Sequence, residues 1–82
     1  MIRLLYFMGL VDAIGHSQEE VVLPDAVRDV KGLVAWLEQQ GERYQKALEG
    51  GAVVQITINK RFVELDTAIR DGDEIAFFPV VK

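Results

Sequence analysis

The chain of 82 residues contains no cysteine, and this absence excludes several kinds of chemistry. Without cysteine the chain forms no disulfide, no thiolate metal site and no cysteine nucleophile, and it carries no persulfide of its own. Its first apolar run, residues 4–11, is too short to span a bilayer, and no small-x-small cleavage site follows it. These features together predict a cytoplasmic protein.

Histidine is almost as scarce, since His16 is the single one in the chain. A Ser–His pair with Ser17 would also need an orienting carboxylate and an oxyanion hole, and the sequence indicates neither. One histidine and scattered carboxylates do not form a metal ligand set, and no glycine-rich phosphate-binding pattern occurs. We therefore predict that His16 is an ordinary loop residue, and that the chain has no catalytic side chain, no metal and no bound cofactor.

Basic residues are too few for a polyanion binder. Lys and Arg number 9 against 13 Asp and Glu, which gives a net charge of -4 at pH 7. A protein that binds nucleic acid or an anionic membrane normally presents a basic face. The excess of acidic residues therefore predicts that the protein binds neither nucleic acid nor an anionic membrane.

What the chain does have is apolar sequence, at 50% of its residues, enough for one small globular domain spanning residues 1–82. Apolar runs and alternation predict strands at residues 2–8, 19–23, 53–59, 62–64 and 74–81. Helical spacing predicts a main helix at residues 30–40, and the segment between residues 9 and 18 reads as a connection. This order favours an α+β fold, in which a mixed sheet of about five strands is covered on one face by one main helix.

Local features define the predicted main helix and its neighbours. Asp29 is a good N-cap, and four apolar residues at helical spacing form one stripe: Val30, Leu33, Val34 and Leu37. Gly41 is expected to end the helix in the left-handed conformation. A shorter helix follows, with Tyr44, Ala47 and Leu48 on one side. Further along, Leu65 and Ile69 are expected to point inward.

Some large apolar residues remain after the core positions are assigned. In the first strand the core side takes Ile2, Leu4 and Tyr6, and in the last strand it takes Ile75 and Phe77. The residues left facing outward are Leu5, Phe7, Ala76 and Phe78, with Phe62 just beyond a hairpin turn. If the first and last strands are neighbours, Leu5, Phe7 and Phe78 form one exposed apolar patch, which is typical of a docking surface.

The C-terminal segment, Asp-Gly-Asp-Glu-Ile-Ala-Phe-Phe-Pro at residues 71–79, resembles the ending of the small subunit of molybdopterin synthase. That family consists of ubiquitin-like sulfur carriers. The resemblance extends over essentially the whole chain and includes Phe7, Gly15, the segment 42–50, the pair Ile58-Asn59 and Asp66. It implies a β-grasp fold and a carrier subunit that is not itself an enzyme.

The resemblance also implies partners and a mode of action. An activating enzyme would adenylate the C-terminal carboxylate with ATP, and sulfur would then replace one oxygen. The large synthase subunit, in a complex expected to be a heterotetramer, would accept the tail and pass the sulfur to a pterin precursor. The implied partner-binding residues are those of the apolar patch and the tail: Leu5, Phe7, Phe62, Phe78, Pro79, Val80 and Val81.

Two departures from the family pattern bear on this expectation. Val11 and Asp12 stand where the family usually has Arg-Glu, which removes one basic side chain. The family ends in Gly-Gly, and this sequence stops at Lys82, where that pair would begin. The sequence as given is therefore expected to be a truncated, processed or inactivated carrier.

Two alternative functions stay open. Carriers for thiazole synthesis in the thiamine pathway are similar, although they are typically shorter around residues 41–50 and lack the Phe-Phe-Pro ending. The second alternative is a ubiquitin-like interaction module that transfers no sulfur, and the missing Gly-Gly favours this function.

Overall fold

A single mixed sheet of five strands forms the centre of the computed structural model, which describes residues 1–51 and 54–80. The strands are β1 (Ile2–Tyr6), β2 (Gln18–Val21), β3 (Val54–Ile58), β4 (Arg61–Phe62) and β5 (Glu74–Pro79). Their order across the sheet is β2-β1-β5-β3-β4. β1 and β5 run parallel in the centre, and the other neighbouring strands are antiparallel. The last strand therefore lies centrally beside the first, as the sequence predicts.

In the described part of the chain, three helices lie on one face of this sheet: α1 (Gly9–Ile14), α2 (Val30–Glu38) and α3 (Glu42–Leu48). A short 3-10 turn, Glu49–Gly51, follows α3. Each helix contributes buried side chains to the same apolar core as the strands. The predicted α+β class is confirmed, with α2 as the longest helix and two shorter ones beside it.

Strict alternation along the strands places one set of side chains in the core. Ile2, Leu4 and Tyr6 of β1 are buried, as are Ile75 and Phe77 of β5. α2 covers them with the predicted stripe, and its four members are all at most 2% exposed: Val30, Leu33, Val34 and Leu37. Burying such side chains contributes about 1.5–3 kcal/mol each, so this layer is the main source of stability.

The two ends of α2 differ in how well the sequence predicted them. At the start, Asp29 accepts a hydrogen bond from the backbone N–H of Gly32 at 2.7 Å, which confirms the N-cap. At the other end the expectation for Gly41 is wrong. The helix ends through Gln39 in a right-handed conformation, and Gly41 has an extended φ of 164° as the residue that precedes α3. Only two residues separate Gln39 from α3, so the chain turns there without a left-handed cap.

α1 corrects the prediction that residues 9–18 are a plain connection. Leu10 and Ile14 lie one helical turn apart and are both buried, which is why the segment winds onto the core. Gly15 ends α1 at φ 103°, a left-handed conformation that favours glycine. A Cβ placed on Gly15 would lie 2.7 Å from Arg43 Nη1, but this is the far end of an exposed, flexible side chain, so the positive φ rather than space is what favours glycine here. The spacing of Leu10, Ile14 and Gly15 is compatible with this helix, but a single turn of such spacing is too short to predict one.

Other predicted boundaries shift by one or two residues. β1, β2 and β3 are each shorter than predicted, and β4 begins one residue earlier, at Arg61. Leu65 was expected to point inward but is 38% exposed, because it lies in a turn after β4 and is not among the residues packed against the core. Val53, Val81 and Lys82 lie outside the described residues. The predicted start of β3 and the expected projection of the tail after Val80 fall there.

Candidate functional site

The face of the sheet opposite the helices carries the candidate site. Because side chains alternate along each strand, the residues between the core positions all point to this open face. The register brings four of them into one row across four strands. Leu5 pairs with Ala76, Ala76 with Thr57, and Thr57 with Phe62. Sheet pairing thus joins residues far apart in sequence into one surface.

Three aromatic rings form the most prominent part of this surface. The rings of Phe7 and Phe78 stack with their centroids 4.6 Å apart and their planes 6° apart. Phe62 lies on the other side of Phe78, at a centroid distance of 6.3 Å. Between the rings and Leu5 is an open groove of about 280 Å³, with Ala76 in its lining. We call these four large side chains and the groove the apolar face: Leu5, Phe7, Phe62 and Phe78.

The members of the apolar face are exposed to different extents. Phe62 is 70% exposed and Phe7 is 37% exposed, while Leu5 and Phe78 are half-buried. Ala76 was predicted to face outward and does lie on the open face, but it is only 7% exposed because its small side chain lies among larger neighbours in the groove. Exposed aromatic and aliphatic side chains that touch one another form the kind of surface that a protein partner covers.

The C-terminal end of β5 lies next to the apolar face. Pro79 is its last residue, half-buried and opposite Val54 of β3, and Val80 follows with 37% exposure. Because Phe78 precedes them directly, a partner that covers the apolar face would also meet the chain as it leaves the sheet. Val81, the remaining predicted contact, lies outside the described residues.

A second cluster lies on the helix side of the sheet and was missed by sequence reasoning. The carboxylate of Glu19 accepts hydrogen bonds at the same oxygen, Oε2, from the hydroxyls of Tyr6 and Tyr44, both at 2.7 Å. His16 Nε2 lies 2.8 Å from this oxygen as well. His16 is therefore half-buried and bonded, whereas the sequence suggested an ordinary loop residue. No local motif links residues that are 25 positions apart, such as Glu19 and Tyr44.

The cluster has a clear electrostatic character. Burial raises the pKa of the Glu19 carboxyl, but the hydrogen bonds from His16, Tyr44 and Tyr6 outweigh that effect, so this pKa lies below its usual value. Burial and the bond to Glu19 raise the pKa of Tyr44 to about 12, and the same two causes raise that of Tyr6. Glu19 is thus the charged acceptor, and both tyrosines stay protonated donors. The arrangement ties β1, β2 and α3 together and offers no nucleophile.

Within residues 1–51 and 54–80, no group of three or more His, Asp or Glu side chains is placed to hold a metal ion. In that same part of the chain, no helix has the length and apolar character that crossing a membrane requires.

Comparison with known proteins gives one consistent family. The sequence pattern described as the ThiS family matches residues 4–82. The molybdopterin synthase sulfur carrier subunit of Haemophilus influenzae is 33% identical over 81 residues, which cover 99% of this chain and 96% of that protein.

Solved structures agree with this. A Pyrococcus furiosus protein, provisionally named molybdopterin converting factor subunit 1, superposes with a TM-score of 0.75 at 28% identity and covers 98% of this chain and 97% of its own. A second match is a chain in the protein–protein complex of subunits 1 and 2 of the molybdopterin-converting factor from Helicobacter pylori. It has a TM-score of 0.69 at 26% identity, and the match covers 99% of this chain and 95% of that one. The ubiquitin-like β-grasp fold expected from the resemblance is confirmed.

Proposed function

The chain belongs to the ThiS family, and we propose that it acts as the sulfur-carrier small subunit of a molybdopterin synthase in molybdenum cofactor biosynthesis. The observation that carries this proposal is the match over nearly its whole length to carrier subunits of that enzyme. The apolar face beside the end of β5 supports it, because a carrier must dock and present its C-terminus at the same time.

The cytoplasmic location expected from the sequence stays a prediction.

The large subunit of the synthase is the partner proposed for the apolar face. In the Helicobacter pylori neighbour, subunits 1 and 2 form a protein–protein complex. Phe7, Phe62 and Phe78 would serve as aromatic anchors, since such residues commonly dominate binding energy at an interface. We propose further that two carriers and two large subunits form a heterotetramer.

The chemistry is proposed to take place at the C-terminus and within the partners. An activating enzyme would use ATP to adenylate the terminal carboxylate, sulfur would replace one oxygen, and the large subunit would transfer that sulfur to the pterin precursor. Glycine suits the last positions because, without a Cβ, it threads a narrow channel and adopts backbone angles that other residues avoid. In this proposal the carrier binds no cofactor and supplies no catalytic side chain.

The test compares three versions of the chain: one ending at Lys82, one extended by Gly-Gly and one extended by Ala-Ala. Each is incubated with the activating enzyme, ATP and a sulfur donor, and the intact mass is measured. We expect only the Gly-Gly version to gain the mass of an oxygen-to-sulfur exchange, because the added methyl groups of Ala-Ala hinder entry into the active site.

The other outcomes separate the alternatives. Equal reaction of the chain ending at Lys82 would show that the glycines are dispensable. If all three versions fail while the same enzyme activates another carrier, the interaction-module function is favoured. The partner that co-purifies provides a second criterion, since a thiazole synthase in place of the large subunit would indicate the thiamine pathway.

A further inference from the structure

The turn between β3 and β4 places a lysine beside the apolar face in an unusual backbone conformation. Asn59 and Lys60 connect the two strands, and both have positive φ, at 50° and 73°. A two-residue hairpin of this kind favours Asn followed by Gly, because glycine has no Cβ to clash at the second position. Asn59 fits this preference and Lys60 does not. Lys60 therefore imposes a conformational cost that the fold itself does not require.

The position of the turn is fixed by its contacts with β5. The Asn59 side chain donates to Asp73 Oδ1 at 3.0 Å and accepts from the backbone N–H of Glu74 at 3.0 Å. The backbone N–H of Asn59 donates to the carbonyl of Glu74 at 2.8 Å. Lys60 is thus held at a defined place at the rim of the groove, beside Phe62.

The charge at this rim is unbalanced. Within residues 1–51 and 54–80, two charged residues line the groove, Lys60 and Glu74. Glu74 lies 3.9 Å from Arg3 Nη1, so its carboxylate has a nearby cation. Lys60 is exposed, and among residues 1–51 and 54–80 no carboxylate forms an ion pair with it. On a protein of net charge -4, this places a positive charge next to the apolar anchors.

We propose that Lys60 is a specificity residue of the docking surface, and that it pairs with a carboxylate of the large subunit at the rim of the interface. This inference rests on the proposed function and adds the charge of the partner to it. A cation at the rim of an apolar contact speeds association with an acidic counterpart and disfavours a basic one. A partner that offers only an apolar surface would make no use of a charge at this position.

Arg61 provides a matched control within the same turn. It lies opposite Ile58, a core-side position, whereas Phe62 lies opposite Thr57 on the open face. Alternation therefore directs Arg61 to the other side of the sheet, and it does not line the groove. Lys60→Glu and Arg61→Glu change the net charge equally, so a difference between them reflects where the charge lies and not the net charge of the protein.

The experiment measures the association rate and Kd of the full chain with the large subunit of the same organism, over a series of salt concentrations. At low salt we expect Lys60→Glu to raise Kd by about 10-fold, mainly through slower association, and the effect to shrink as salt screens the charges. Arg61→Glu should change Kd by about 2-fold or less. Lys60→Gly should bind about 3-fold more weakly while its Tm stays the same or rises, because glycine relieves the positive φ.

Three results would overturn the inference. Equal weakening by Lys60→Glu and Arg61→Glu would mean that only the overall charge matters. Unchanged binding of Lys60→Gly would mean that the lysine side chain makes no contact. Tighter binding of Lys60→Glu would mean that the partner is basic at this point. If the unmodified chain fails to bind the large subunit, the proposed function itself is wrong, which is a distinguishable outcome.

Discussion

At the scale of single residues, the Glu19 carboxylate joins several separate parts of the chain. Its Oε2 atom accepts from two tyrosine hydroxyls at 2.7 Å and lies 2.8 Å from His16 Nε2. Hydrogen bonds to a charged acceptor are stronger than neutral ones. One side chain therefore connects β2 with the end of β1, with α3 and with the loop after α1.

This cluster predicts a specific dependence of stability on pH. The pKa of Glu19 is lower in the folded chain than in the unfolded chain. The stabilisation that ionised Glu19 gives the folded state is therefore complete above its unfolded pKa, and it is lost as the pH falls through its folded pKa. Glu19→Gln should lower the free energy of unfolding by about 1–2 kcal/mol at pH 7. The difference from the unmodified chain should diminish below about pH 4. Denaturant unfolding of the two chains at a series of pH values measures both the loss of free energy at pH 7 and its decrease at low pH.

Glu20→Gln is the control for this experiment, because Glu20 is the adjacent residue in β2 and is exposed. It should change the free energy of unfolding by less than about 0.5 kcal/mol at any pH. A Glu19→Gln variant with the same acid dependence as the unmodified chain would contradict the assignment of Glu19 as the charged acceptor.

At the scale of elements, α2 shows how a local pattern becomes structure. Its N-cap and its apolar stripe are both readable in the sequence, because they depend on residues no more than seven positions apart. The stripe is buried by packing on the sheet, and that packing also offsets the cost of Gly32 inside the first turn. The helix thus depends on the core for its stability.

Truncation of the stripe tests this dependence. Leu37 is 1% exposed, so Leu37→Ala should leave a cavity and lower the free energy of unfolding by about 2–5 kcal/mol. Leu65→Ala is the same substitution at a residue that is 38% exposed, and it should cost less than about 1 kcal/mol. Chemical denaturation of the two variants compares them directly. A loss below 1 kcal/mol for Leu37→Ala would show that the stripe does not support the core.

At the scale of the whole molecule, the sheet separates stability from binding. One face is buried under three helices, and the other presents the apolar face. This separation is incomplete at Phe78, which is half-buried and stacked on Phe7, and it is clearest at Phe62, which is 70% exposed. Substitutions on the open face should therefore impair docking far more than folding.

Charged substitutions on the apolar face make this expectation measurable. Phe78→Asp should abolish the complex with the large subunit, because a carboxylate would be buried without a partner, and Phe62→Asp should weaken it by at least about 10-fold. The Tm should stay nearly unchanged for Phe62→Asp and fall modestly for Phe78→Asp. Calorimetric titration gives the Kd, and a thermal scan gives the Tm.

Val22→Asp is the matched control, since Val22 is 74% exposed and lines a different groove with Met1 and Pro24. It should leave both the Kd and the Tm unchanged. An unfolded Phe78→Asp variant would mean that Phe78 belongs to the core, and undiminished binding by both phenylalanine variants would remove the apolar face from the interface.

The sequence by itself determined the features that depend on near neighbours in the chain. Alternation identified which side chains of β1 and β5 enter the core, helical spacing identified the stripe of α2, and Asp29 marked where that helix begins. The same alternation predicted outward-facing Leu5, Phe7 and Phe78. These features follow from backbone geometry, which has a period of two residues in strands and 3.6 in helices.

The tertiary structure decided what depends on contacts between distant residues. Strand register joined Leu5, Ala76, Thr57 and Phe62 into one row, and packing brought Tyr6 and Tyr44 to the same oxygen of Glu19. The six-residue helix α1 belongs here too, because a helix so short is held by the core that buries its apolar side chains rather than by its own propensity. Such contacts arise only when the whole chain closes around its core, and a local pattern does not encode them.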